Sequence, residues 1–142
     1  KICSVITPIS LDHMNFLGTD LIKIANEKIG ILKKKSLIVL SKQEKSVRKL
    51  IRNEVKNKQA ILFEEGVHWK ISKIMKNSFV LNFSGNDFEF EKPSLHGNHQ
   101  IENVSTALAG IMAVKKFKLE IEKINLGVKS AVWPGRMQNL GV

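Results

Sequence analysis

Residues 36–55 read SLIVLSKQEKSVRKLIRNEV. Ser36–Leu40 is a short apolar run, the pattern of a strand buried on both faces of a parallel sheet. Ser41-x-x-Glu44 then spells a capping box, and Val47, Leu50, Ile51 and Val55 recur at helical spacing as an inward face. The Arg and Lys residues between them read as solvated charges on the outer face of that helix. A buried strand feeding straight into an amphipathic helix is the rhythm of an α/β sheet.

The same rhythm appears upstream. Residues 2–9 (ICSVITPI) form another short apolar run closed by Pro8. Ser10, Leu11, Asp12 and His13 follow just past its carboxyl end, where open α/β sheets bind ligands. Asp20 is a predicted N-cap for a helix over 21–29, with Gly30 in the C′ role. Leu21, Ile24 and Ala25 form its apolar stripe, and continuing that face lands on Lys28. A lysine facing inward is anomalous, because an unpaired ammonium is costly to bury. The simpler alternative has Lys28 reaching outward from the last turn, where the helix dipole favours a cation.

After Gln59 the period changes. Ala60–Phe63 is a short strand. Val67, Trp69 and Ile71 then alternate with polar residues, as do Phe79, Leu81 and Phe83, and then Phe88 and Phe90. Turn residues at 76–78 and 84–87 separate these runs, so the expectation is a small antiparallel meander over 60–94 with one wet face. His68 falls on its polar side. Beyond Pro93 a polar loop opens a helix over about 100–117, with Val104, Leu108, Ile111 and Met112 inward. A shorter helix near 120–129 follows, and Trp133-Pro134-Gly135-Arg136-Met137-Gln138 makes a rigid turn. The divisions drawn are 1–59 (parallel part), 60–94 (meander) and 95–142 (helices and turn).

Composition limits the function classes. The chain has 142 residues, 43% hydrophobic and 25% charged, which suits one globular domain rather than a disordered chain. No apolar run approaches the ~20 residues that a spanning helix needs. The single cysteine, Cys3, excludes an internal disulfide framework and suits a reducing, cytoplasmic setting. The net charge of +10 raises a nucleic-acid-binding module as an alternative. Arginine occurs only at 48, 52 and 136, however, and there is no Tyr, so stacking platforms between basic residues are lacking. His96-x-x-His99 has metal-like spacing but no matching partner pair, and a thiolate at Cys3 is disfavoured inside an apolar strand. Neither G-x-x-x-x-G-K-[ST] nor G-x-G-x-x-G occurs. The chain starts at Lys1 and reads as a piece beginning partway through a fold.

Four stretches in order carry a family resemblance. Ile6-Thr7-Pro8-Ile9-Ser10-Leu11-Asp12-His13, followed by Leu17-Gly18 and Glu27-Lys28-Ile29-Gly30-Ile31, resembles the "IT-x-I-x-LDH…LG…EK-x-GI" stretch of folylpolyglutamate synthases. His99-Gln100-x-x-Asn103-x-x-x-Ala107 resembles that family's "HQ-x-x-N-x-x-x-A" helix start. Trp133–Gln138 is similar to its "PGR-aromatic-Q" turn, with Met137 in the aromatic place. The wider relatives are the Mur ligases.

The resemblance implies the second half of a P-loop-type ATP-binding domain, a parallel sheet with helices plus a small antiparallel meander. The P-loop and an acidic magnesium ligand are expected upstream of residue 1, and a C-terminal domain beyond residue 142, so this piece alone is expected to be inactive. It implies that Lys28 is carbamylated and holds Mg2+ together with His13, and that Asn103 and Arg136 contact ATP. Asp12, His99 and Gln100 belong to the motifs without a separate role. The implied activity is ligation of L-glutamate to a folate or dihydropteroate carboxylate through an acyl phosphate, with ADP and phosphate released. The implied enzyme is a cytoplasmic monomer with no nucleic-acid or membrane partner. A Mur-type ligase of cell-wall synthesis is the alternative within enzymes.

Overall fold

A computed structural model describes residues 2–10, 20–95, 97, 99–114 and 120–131. The chain is mixed α/β and divides into two compact units, Lys1–Val67 and His68–Val142.

In the first unit, β1 (Cys3–Ile6), β2 (Leu37–Leu40) and β3 (Ile61–Glu64) form a parallel sheet in that order. The helices α1 (Leu21–Ile29) and α2 (Lys45–Asn57) lie between successive strands in the chain. The register aligns Ile6, Leu40 and Glu64 in one row and Ser4, Ile38 and Leu62 in another. Side chains alternate across a strand, so these rows share one face. Ile6, Ile38 and Leu40 on that face pack with Ile24, Val47 and Ile51 of the helices in a dry aliphatic core.

Local signals explain the helix boundaries only in part. Asp20 caps α1 as expected, its Oδ1 accepting the Ile22 N–H at 2.9 Å. Gly30 keeps a right-handed conformation (φ −54°) rather than the left-handed one of a C′ glycine. The capping box does not form. The helix α2 starts at Lys45 after Glu44, which makes no side-chain cap. Ser41 is instead buried at the end of β2, where its N–H extends the ladder to the Ile6 carbonyl at 3.0 Å. Val47, Ile51 and Val55 are buried, as the helical spacing predicts.

β3 pairs in parallel with β2, so the parallel part reaches past Gln59 and the boundary between units falls after Val67. Strand length and apolar composition do not reveal which neighbour a short strand will choose.

The second unit carries the meander β4 (Trp69–Ile74), β5 (Ser78–Phe83) and β6 (Asn86–Glu91), all antiparallel. Trp69 faces Phe83, Ile71 faces Leu81, and Phe79 faces Phe90, which places the large apolar side chains on one side. A bulge between Ile71 and Lys73 shifts the register, so that Ile74 rather than Lys73 lies opposite Phe79. Phe79 and Phe90 stack at a tilt of 37° with centroids 6.0 Å apart. Among the described residues the unit also carries the helices α3 (His99–Ala113) and α4 (Ile121–Ser130). Leu108 of α3 is buried as expected and Ala109 and Ala113 are buried beside it, whereas Ile111, expected inward, is exposed. An asparagine and a lysine of α4 hold the end of the meander. Asn125 Oδ1 accepts the Glu91 N–H at 3.1 Å, and Lys129 pairs with the Glu91 carboxylate.

Candidate functional site

The carboxyl ends of parallel strands lie at one edge of their sheet, and in the first unit that edge collects polar groups. Gln43, in the connection from β2 to α2, brackets Pro8. Its Nε2 donates to the Thr7 carbonyl at 2.9 Å, and its Oε1 accepts the Ile9 N–H at 3.0 Å. One carboxamide thus serves as the hydrogen-bonding partner of a strand end where proline itself can donate nothing. The bracketed backbone runs on toward Asp12 and His13, which lie outside the described residues.

Glu64 closes β3 on the core-facing row and is only 2% exposed. Arg52 donates from Nε to its Oε2 at 2.8 Å, and Arg48 Nε lies 3.8 Å from Oε1. A buried carboxylate is tolerated when it is paired and hydrogen-bonded. The two guanidinium side chains are 40% and 50% exposed, so they reach in from solvent over the sheet edge. These arginines are therefore not simply solvated, as the helical pattern alone had suggested. The signal was available in principle: a carboxylate ending an apolar strand, and arginines four apart on the preceding helix. Glu65 adds a further contact, its Oε2 accepting the Lys42 N–H at 2.7 Å.

Lys28 lies in the last turn of α1 and is exposed, while Ile24, Ala25 and Ile29 are buried. The apolar stripe ends at Ile29 and not at Lys28, so the expected burial problem does not arise. Among the described residues no group of three or more His, Cys, Asp or Glu side chains could hold a metal ion. An ammonium at Lys28 does not fit a cation either; a carbamate in its place would.

In the second unit the start of α3 carries a connected polar chain. His99 and Asn103 are exposed, and Gln100 between them is buried at 5% exposure. Asn103 donates from Nδ2 to Gln100 Oε1 at 3.2 Å, and Gln100 Nε2 lies 3.1 Å from His99 Nε2. The spacing of three between Gln100 and Asn103 puts both on one side of the helix. An exposed carboxamide with one donor already committed can still offer an oxygen and a second N–H to a ligand. A groove of 590 Å³ lies nearby along β4, lined by Ile71, Ser72, Lys73, Ile74, Ile101 and Glu102. It contains none of the site residues predicted from sequence.

Of those predicted residues, the structure thus describes Lys28 in the first unit and Asn103 in the second. His13 and Arg136 lie outside the described residues, as does the Trp133–Gln138 turn. Sequence reasoning had left Gln43 and Glu64 aside and had given Gln100 no role. Gln43 matters through partners distant in the chain, Glu64 through burial beside Arg52, and Gln100 through burial between its near neighbours His99 and Asn103.

No family model matches the sequence. The dihydrofolate synthase/folylpolyglutamate synthase of Mycobacterium tuberculosis is 28% identical over 151 residues, covering 96% of this chain and 31% of that protein. The enzyme of the same name from Bacillus subtilis is 29% identical, covering 95% of this chain and 33% of its own length. The chain therefore spans about a third of the curated relatives it matches. Among solved structures, an FPGS–AMPPCP–folate complex superposes with a TM-score of 0.88 at 21% identity, covering 99% of this chain and 36% of that one, a likeness of fold. The Mycobacterium tuberculosis folylpolyglutamate synthase complexed with ADP and AMPPCP is 30% identical at a TM-score of 0.80, covering 96% of this chain and 33% of that one. The sequence match runs along nearly the whole chain and the fold agrees, so the chain is similar, over about a third of their length, to proteins named dihydrofolate synthase/folylpolyglutamate synthase.

Proposed function

We propose that this chain is part of an ADP-forming ligase that joins L-glutamate to a folate carboxylate, as a folylpolyglutamate synthase, a dihydrofolate synthase or both. The observation that carries the reading is the match along almost the entire chain to relatives of that name. Because those names specify folate, a cell-wall ligase or a nucleic-acid-binding module is not favoured.

The proposed reaction has two steps. A carboxylate oxygen of the pterin substrate attacks the γ-phosphorus of ATP and expels ADP, leaving an acyl phosphate. The amine of glutamate then attacks the acyl carbon, loses a proton and expels phosphate, forming the amide. Asn103 and Arg136 are the proposed nucleotide contacts. The exposed carboxamide of Asn103 suits a base edge or a phosphate oxygen, and the fork of an arginine suits phosphate. His13 and Lys28, the latter as its carbamate, are the proposed magnesium ligands. Magnesium bound there would supply positive charge to the phosphoryl oxygens. The exposure of Lys28 leaves its amine accessible to that modification. The proposal extends to a cytoplasmic monomer. No helix among the described residues is long and apolar enough to cross a membrane. The chain by itself is proposed to be inactive.

The test is ADP release by the complete gene product with magnesium, glutamate and either dihydropteroate or a reduced folate, beside the Lys28→Ala variant. Release should require the pterin substrate and drop about a hundredfold in the variant, the scale of losing one group that stabilises developing charge. Silence with every folate would overturn the reading. An unaffected Lys28→Ala protein would remove Lys28 from the site.

A further inference from the structure

We infer that Gln100 is a positioning residue that fixes the carboxamide of Asn103 and thereby makes the site prefer adenine over 6-oxopurine nucleotides. The inference rests on the reading of Asn103 as a nucleotide contact and goes beyond it.

Asn103 Nδ2 donates to Gln100 Oε1, which orients the Gln100 carboxamide and leaves its Nε2 facing His99 Nε2. Two N–H donors cannot share a hydrogen bond, so His99 Nε2 accepts and the imidazole proton resides on Nδ1. The three side chains form one directional chain, Asn103 donating to Gln100 and Gln100 donating in the same sense to His99. Gln100 is buried, so rotating its amide gives up both bonds without water to replace them. The far end is held as well. A Cβ at Gly97 would come within 2.5 Å of His99 Cε1, and Gly97 has φ +106°, so only glycine leaves room for the ring in this place.

The consequence falls on Asn103. With one N–H committed inward, it presents its oxygen and its remaining N–H in a fixed order. Adenine offers the complementary pair, an exocyclic N6–H donor beside a ring-nitrogen acceptor. A 6-oxopurine replaces that donor with an acceptor, and on the N1 edge it also turns the ring acceptor into an N–H, so only a flipped Asn103 would suit it there. The flip sets Asn103 Oδ1 against Gln100 Oε1, two acceptors, unless Gln100 also flips and His99 moves its proton to Nε2. The preference is therefore expected to be about tenfold, the scale of one mismatched bond, and not absolute.

The test compares kcat/KM for ATP and ITP in the complete gene product with its folate substrate, with thermal melting as a check on folding. Gln100→Leu should lower the ATP:ITP ratio about tenfold, with the loss read mainly as a higher KM for ATP. Gln100→Glu keeps an acceptor for Asn103 and should keep the ratio. His99→Phe, an exposed position where a ring is retained, frees Gln100 to flip and should lower the ratio even if Gln100→Leu does not fold. A wild-type ratio in folded Gln100→Leu or in His99→Phe would overturn the proposal, as would a Gln100→Glu ratio as low as that of Gln100→Leu. Absence of ATP turnover in the unmodified protein would instead defeat the nucleotide reading, and this proposal with it.

Discussion

The two units solve the same burial problem with different materials. Lys1–Val67 builds its core from Ile, Leu and Val shared between strands and helices, so each side chain contributes a modest part. His68–Val142 relies on a few large rings, with Trp69, Phe79 and Phe90 almost fully buried. The difference follows from architecture. Alternating helices and parallel strands shield both ends of many small side chains, whereas a three-stranded meander has one face to bury and gains most from large groups on it. The buried polar groups differ too. The first unit encloses a charged one, Glu64 with two arginines, and the second an uncharged carboxamide, Gln100. A buried carboxylate needs ionic partners close by, while a carboxamide can pass one hydrogen bond along to the next group.

The largest expected effect tests the contrast in cores. Phe79→Ala should cost about 4 kcal/mol and Ile38→Ala about 3 kcal/mol, read by amide hydrogen exchange in β5 and β2 respectively. The reverse order would break the claim that the meander concentrates its stability in few side chains. Next comes the charged pair of the first unit. Replacing Arg48 and Arg52 together by Met leaves the Glu64 carboxylate without these two cations at the sheet edge. It should cost about 2–3 kcal/mol in urea denaturation, less than a fully buried pair because both arginines are partly solvated. A neutral result would show that the arginines matter little to Glu64.

The smallest effect is at the surface of α2. The Glu54 carboxyl is held below its usual range, first by its hydrogen bond to Lys58, whose Nζ lies 3.0 Å away. A carboxyl lowered on folding stabilises above its unfolded range and loses that contribution as pH falls through its folded value. Glu54→Gln should therefore leave acid-side stability unchanged and shave only a little from stability at neutral pH. A thermal-melting series across pH that shows a large neutral loss would contradict this.

Particular residues show where sequence reading succeeded. Asp20 was legible as a cap because its chemistry is local, an oxygen two residues from the N–H it accepts. Val47, Ile51 and Val55 were legible because helical period alone decides which face is dry. The alternating aromatics of β4–β6 were legible for the same reason at period two, apart from the bulge after Ile71. Ser41 was misread because the helix begins only at Lys45, while Ser41 lies at the end of β2 with its N–H on the Ile6 carbonyl, a partner 35 positions away in the chain. Lys28 was drawn inward by extending a stripe one turn too far. In the candidate site, the motifs marked Asn103 and Lys28, while Gln100, which accepts from Asn103, went unassigned.

The sequence by itself determined the kinds of elements, their order and the family motifs, since caps, periods and motif spacings are written between near neighbours. Tertiary structure alone decided that β3 joins the parallel sheet, that Glu64 turns into the core beside Arg52, and that Gln43 brackets Pro8. It also decided that Gln100 is the buried link between His99 and Asn103. The hydrogen bonds of Gln100 are local, but its burial, like the strand register and the placement of Glu64 and Gln43, is set by contacts between distant segments that no local pattern specifies.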